Sequence, residues 1–179
     1  YFRSNNGFSV HISSITVPLN EWHHMAAVYD GANVVIYLDG IQVYSGSESQ
    51  NLAFTNQSLK LGNRQQGSQA HAGLIDEVRI WDQALTQEEI QSNMSIPLDG
   101  DETSLLAYFN FNEGNGSTLA DVSGNNNGTS AMDGNYEITV YSTTQSLSSN
   151  NIANISFNWN GTNNNSSNTY LSIIGSDSW

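Results

Sequence analysis

Residues 73–90 read Gly-Leu-Ile-Asp-Glu-Val-Arg-Ile-Trp-Asp-Gln-Ala-Leu-Thr-Gln-Glu-Glu-Ile, and this stretch decides the fold. Its first half alternates. Leu74, Asp76, Val78 and Ile80 fall on one side, and Ile75, Glu77, Arg79 and Trp81 on the other, the two-residue period of a strand. Apolar residues occur toward both faces at its ends, as expected of a strand inside a sheet stack. The second half changes period. Thr86 stands three residues before Glu89, so hydroxyl and carboxylate can each satisfy the other's orphan backbone N–H, and the pattern predicts a capping box that opens a short helix. Pro97 predicts that this helix does not pass Asn93.

Strand signals continue upstream. Residues 8–17 alternate loosely until Pro18 and Asn20 break the pattern, and residues 22–29, Trp-His-His-Met-Ala-Ala-Val-Tyr, predict a second strand. Residues 34–38 are dense in β-branched and aromatic side chains, and residues 41–44 follow. Asp30-Gly31 and Asp39-Gly40 sit between these runs and supply residues that tolerate a positive φ, so the three runs form an antiparallel meander. Leu59 and Leu61 predict a short strand, and residues 63–71 a glutamine-rich loop. Beyond the acidic link at 97–103, residues 105–111, 136–141, 155–159 and 170–174 read as strands among Asn- and Ser-rich tracts. Strands with turns between them and no strand–helix alternation predict two antiparallel sheets packed face to face.

Composition narrows the partners. The 179 residues hold 17 Asp+Glu against four Lys+Arg, a net charge of −13, which argues against nucleic acid and anionic membrane. The absence of cysteine removes disulfides, thiolate nucleophiles and Cys-based zinc sites. No stretch approaches a membrane-spanning apolar run or a signal peptide. The first residue is Tyr1 rather than Met, so a processed product or a piece of a larger multidomain chain is expected.

Five ordered motifs carry a family resemblance. They are Trp22-His-His-Met-Ala26 with Tyr29-Asp-Gly31, Ile36-Tyr-Leu-Asp-Gly40, Leu59-Lys-Leu-Gly62, Gly73-Leu-Ile-Asp-Glu-Val-Arg-Ile-Trp81, and Ala84-Leu85 with Glu88-Glu-Ile90. Together they resemble the C-terminal half of a laminin-G-like domain of the concanavalin A-like lectin/glucanase superfamily, of the bacterial surface-protein type. The resemblance implies an all-β, antiparallel jelly-roll β-sandwich with one short helix, and a non-catalytic module of secreted or cell-surface proteins. It also implies that the family's opening strands precede Tyr1. Residues 105–114 with Asp121-Val-Ser-Gly-Asn125 resemble both the family's beginning and its closing segment. The expected organisation is a laminin-G-like sandwich over 1–130, with 104–128 as a closing segment or the start of a second copy. A second small β domain is expected over 131–179.

Candidate sites follow. Related sandwiches carry calcium near the strand at 73–81, so the resemblance implies Ca²⁺ held by Asp76 and Asp121, whose carboxylates suit a hard cation. An Asx-type turn accounts for Asp121 equally well. Sugar recognition needs an aromatic platform beside hydrogen-bonding side chains. Trp81, Tyr37 and Tyr44 or the loop residues Gln65, Gln66 and Gln69 offer these, with His71 beside them, while Trp81 and Tyr37 also suit packing against the sheets. His23 and His24 are adjacent on a strand and point to opposite faces, which favours packing over a shared metal. For catalysis, the Glu-x-Asp-x-(x)-Glu strand of the superfamily's glycoside hydrolases does not occur, nor does a Gly-x-Ser-x-Gly elbow. The expected function is an extracellular recognition or adhesion module, not an enzyme, that binds glycan or a surface protein through its loops. A spacer in a large adhesin and an accessory carbohydrate-binding module of a polysaccharide-degrading enzyme are the alternatives.

Overall fold

The computed structural model describes residues 2–3, 9–10, 17–47, 59–61, 73–115, 117–124, 127–132, 136–140, 154–161 and 171–172. The strands in chain order are β1 (Phe2–Arg3), β2 (Ser9–Val10), β3 (His23–Tyr29), β4 (Asn33–Leu38), β5 (Ile41–Ser47), β6 (Leu59–Leu61) and β7 (Gly73–Trp81). After the helix α1 (Gln87–Asn93) come β8 (Leu105–Phe109), β9 (Thr118–Leu119), β10 (Gly128–Met132), β11 (Tyr136–Val140), β12 (Asn154–Gly161) and β13 (Leu171–Ser172). They form a β-sandwich of a seven-stranded sheet, β2-β1-β13-β6-β11-β10-β9, and a six-stranded sheet, β5-β4-β3-β12-β7-β8. Pairing is antiparallel throughout except between β1 and β13. No helix among the described residues is long and apolar enough to cross a membrane.

The meander β3-β4-β5 forms where the Asp-Gly signals place it, through two different turns. Asp39 (φ 51°) and Gly40 (φ 72°) both adopt the left-handed conformation, so two residues suffice to turn β4 into β5. Gly40 is also required by space, because a Cβ there would lie 2.7 Å from Gln91 Cγ of α1. At the first corner only Gly31 is left-handed. Asp30 instead accepts from the backbone N–H of Ala32 (2.8 Å) and Asn33 (2.7 Å) through Oδ1, an Asx turn that lengthens the connection by one residue.

The six-stranded sheet has an apolar inner face. Val34, Ile36, Val78, Ile80, Ala107 and Phe109 are buried there, three of them without any exposed surface. The outer face carries Ala26, Val28 and Tyr37, covered by Ile90, Ala84 and Leu85 of the helix and its approach, and Trp81 and Tyr108, which cluster with Leu98 and Leu105. The predicted capping box is present. Glu89 N–H donates to Thr86 Oγ1 (3.2 Å) and Thr86 N–H to Glu89 Oε2 (2.7 Å), and the helix ends at Asn93.

β7 departs from strict alternation. Glu77 is left-handed (φ 55°), and against β12 the register shifts so that Asp76 opposes Asn158 while Arg79 opposes Ser156. This is a β-bulge. Asp76 is therefore on the outer face, level with His24, whereas the alternation placed it with Val78 and Ile80 on the inner one. The left-handed residue costs about 1–2 kcal/mol. It is offset by a bond from Glu77 N–H to Asp76 Oδ1 (2.9 Å) and by the Glu77 carboxylate's reach to Arg79 and Tyr108.

In the segment after 130, expected to form a separate small domain, the described strands pair within the same two sheets. β10 spans position 130, β11 pairs with β6, and β12 lies between β3 and β7. The physical reason is the backbone. β3 and β7 each present a row of N–H and C=O groups toward one another, and a strand between them satisfies both rows. β8 pairs with β7 as the opposite edge of this sheet.

Candidate recognition surface

One end of the six-stranded sheet collects the features a binding surface needs. The start of β3, the β4–β5 turn, the end of β12 and the start of β7 all lie there, since His23 and Ile75 both oppose Trp159 and Met25 opposes Leu38. Asp39 fastens this end together. Its Oδ2 lies 2.8 Å from His23 Nδ1, its Oδ1 accepts from His24 N–H (2.8 Å), and its own N–H donates to His24 C=O (2.8 Å). α1 adds to the clamp, as Gln87 and Gln91 both donate to Gly40 C=O, at 3.0 and 2.8 Å. His23 and His24 are both buried and lie on opposite faces, as adjacent strand residues must.

On this rigid base three large apolar side chains remain in solvent. Trp22 is 49% exposed, Ile41 63% and Leu74 59%. By register Ile41 opposes Leu38 and belongs to the inner face, whereas Leu74 opposes Asn160 and, like Asp76, belongs to the outer one, so the two are exposed on opposite faces of this end of the sheet. Sequence reading missed Trp22 because it took the tryptophan as the first residue of the strand. The strand begins at His23, after Asn20 turns the chain with a left-handed φ of 64°. The one available signal was Pro18 and Asn20 just upstream, which already marked a loop.

The expected site residues are placed as follows. Gln65, Gln66, Gln69 and His71 lie outside the described residues. Trp81 is 3% exposed and packs with Leu98, Leu105 and Tyr108, so its ring is within the fold rather than on an open face. Asp76, two residues from Leu74, accepts from Glu77 N–H. Its carboxyl is pushed up from the ordinary range, first by burial and then by the Glu77 charge, with the Glu77 N–H bond acting against both.

Asp121 serves the far edge of the sheet. Its Oδ1 accepts from Tyr108 N–H (2.8 Å), Ser123 N–H (2.9 Å) and Ser123 Oγ–H (2.7 Å). Val122 N–H donates to Tyr108 C=O (2.8 Å), and Ser123 Oγ lies 3.2 Å from Leu106 C=O, the alternative acceptor for its one hydrogen. The Asp-Val-Ser-Gly turn thus covers the outer row of β8 polar groups that an edge strand otherwise leaves unpaired. Asp121 Oδ1 takes three donors, and no group of three or more His, Asp or Glu able to hold a metal occurs among the described residues.

Glu77, Arg79 and Tyr108 form the remaining polar cluster. Glu77 Oε2 accepts from Arg79 Nη2 (2.6 Å) and from Tyr108 Oη (2.7 Å), and the Arg79 guanidinium lies 5.4 Å from the Tyr108 ring centroid. Burial, and next the Glu77 bond, push the Tyr108 phenol up, which keeps it a donor. Arg79 also donates from Nη1 to Asn93 C=O and from Nη2 to Ile96 C=O, both at 2.6 Å, and so holds the end of α1 onto the sheet.

A laminin G family model, described as the concanavalin A-like lectin/glucanases superfamily, matches residues 1–91. The chain belongs to that superfamily. No curated protein and no solved structure matches it. The match takes in β1 to β7, with the start of β3 and the β4–β5 turn, and reaches into α1. The superfamily contains both lectins and glucanases, so membership alone does not choose between binding and hydrolysis.

Proposed function

We propose that this concanavalin A-like sandwich is a non-catalytic recognition module of a secreted or cell-surface protein, and that it binds a neutral glycan at the end of the six-stranded sheet. The observation that carries the reading is the half-exposed Trp22 on a clamped base, with Leu74 exposed at the same end of the sheet. An indole face stacks on the C–H groups of a pyranose ring, and a fixed base keeps the ordering cost of binding low. The chain's charge of −13 favours an uncharged polysaccharide over an acidic one.

The carboxylates support binding over hydrolysis. A glycosidase needs two carboxyl groups facing one another across an open cleft. Here Asp39 holds His23 and His24, Glu77 holds Arg79 and Tyr108, and Asp121 holds Tyr108 and Ser123. Calcium is not required by this reading. Pull-down on insoluble glucans, mannans and xylans, with and without chelator, tests it. Wild type is expected to be retained in both conditions and Trp22→Ala to be lost at unchanged melting temperature. Equal retention of Trp22→Ala, or release of reducing sugar by the wild type, overturns the proposal. A second occupant, an extracellular protein, fits the same exposed tryptophan, and a spacer role follows if the wild type is retained by nothing.

A further inference from the structure

Between α1 and the outer face of the six-stranded sheet lies a cavity of about 10 Å³, the room one water molecule needs. Its polar lining is His24 of β3, Arg79 and Trp81 of β7 and Asn93 of α1, and Leu85, Ile90 and Met94 close it from the helix side. His24, Arg79 and Trp81 are each more than nine-tenths buried. His24 Nδ1, Arg79 Nε and Trp81 Nε1 have no protein partner, although every other bond-forming nitrogen of Arg79 is committed to Glu77, Asn93 or Ile96. A buried polar nitrogen left unsatisfied costs about 1–3 kcal/mol, and three such nitrogens on residues that line one cavity point to a shared guest.

We propose that this cavity is a hydration site holding one internal water, which accepts from Arg79 Nε–H and Trp81 Nε1–H and bonds His24 Nδ1. The donor set selects the guest. A cation finds two N–H donors and no carboxylate. An anion finds an arginine whose charge Glu77 already offsets at 2.6 Å. Water alone serves both donors and a neutral imidazole, accepting from the two N–H groups with its two lone pairs and donating to a bare His24 Nδ1. The imidazole is neutral at ordinary pH, since burial first and the Arg79 charge second lower its pKa to about 4. The water therefore joins β3 and β7 beneath α1, and this inference stands whether or not the sheet end binds glycan.

The test is a pair of NMR experiments on the whole chain. Water-selective NOE and ROE spectra are expected to show a cross-peak between water and the Trp81 indole proton, with the sign of a long-lived internal water. In Trp81→Phe the site loses one donor, and the corresponding cross-peaks of neighbouring Arg79 Hε should weaken or vanish. The wild-type measurement stands alone if that variant fails to fold. A Trp81 indole proton without a water cross-peak overturns the proposal. So does a saturable shift of that proton with sodium chloride that sodium gluconate does not reproduce, which would mark an anion site.

Discussion

Acid should weaken this fold through His24. In the unfolded chain its imidazole takes a proton near its ordinary value of 6.5, whereas in the folded chain it does not do so until about 4. The unfolded state therefore binds more protons between these values, so stability is complete above about 6.5 and falls as pH drops toward 4. A shift of this size corresponds to about 3 kcal/mol in total, at roughly 1.4 kcal/mol per pH unit. The charged groups facing His24 are Arg79, which adds to the shift, and Asp39, which opposes it. The helix side contributes only the uncharged Leu85, Ile90, Asn93 and Met94. Asp76, level with His24 in the sheet, has a raised pKa and works in the opposite sense, gaining stability as pH falls. Urea unfolding from pH 7.5 to 4.5, for wild type and His24→Gln, isolates the histidine from these other groups. The wild type should lose stability over this window more steeply than the variant. Parallel stability curves for the two proteins would refute the assignment.

Two further outcomes follow from single contacts. Thr86→Ala removes the hydroxyl half of the capping box and should cost about 1 kcal/mol in urea unfolding, while Thr86→Ser should cost little. Asp121→Ala strips the cover from β8 and should destabilise the fold by about 2–4 kcal/mol, since it leaves Tyr108 N–H and Ser123 without their acceptor. The same variant should also increase self-association, seen by light scattering, because an uncovered edge pairs with other chains.

Local chemistry made parts of this fold readable. Asp39-Gly40 announced a two-residue turn because few other pairs adopt positive φ twice, and Thr86 with Glu89 announced the helix start because both atoms of the box lie within one turn. Pro97 marked its end. The bulge at Glu77 was not readable, because nothing in Asp-Glu-Val-Arg favours a left-handed glutamate. What holds it there is Arg79 and Tyr108, and Tyr108 is thirty-one residues away. The position of β12 between β3 and β7 was equally hidden, since alternation shows that a segment is a strand and not which strands it joins. At the candidate surface the sequence offered tryptophans without their burial. Trp81 is in the core and Trp22 in solvent, and the difference arises from a strand that starts one residue later than the pattern predicts.

The most direct test of the account is a ¹⁵N–¹H correlation spectrum of the whole chain, titrated with oligosaccharides of neutral glucan, mannan and xylan. Binding at the end of the six-stranded sheet predicts saturable shifts of the Trp22 indole and of the Ile41 and Leu74 amides, with Tyr108, Asp121 and Ser123 at the far edge unmoved. Shifts centred on that far edge, or a spectrum that no sugar changes, would contradict it.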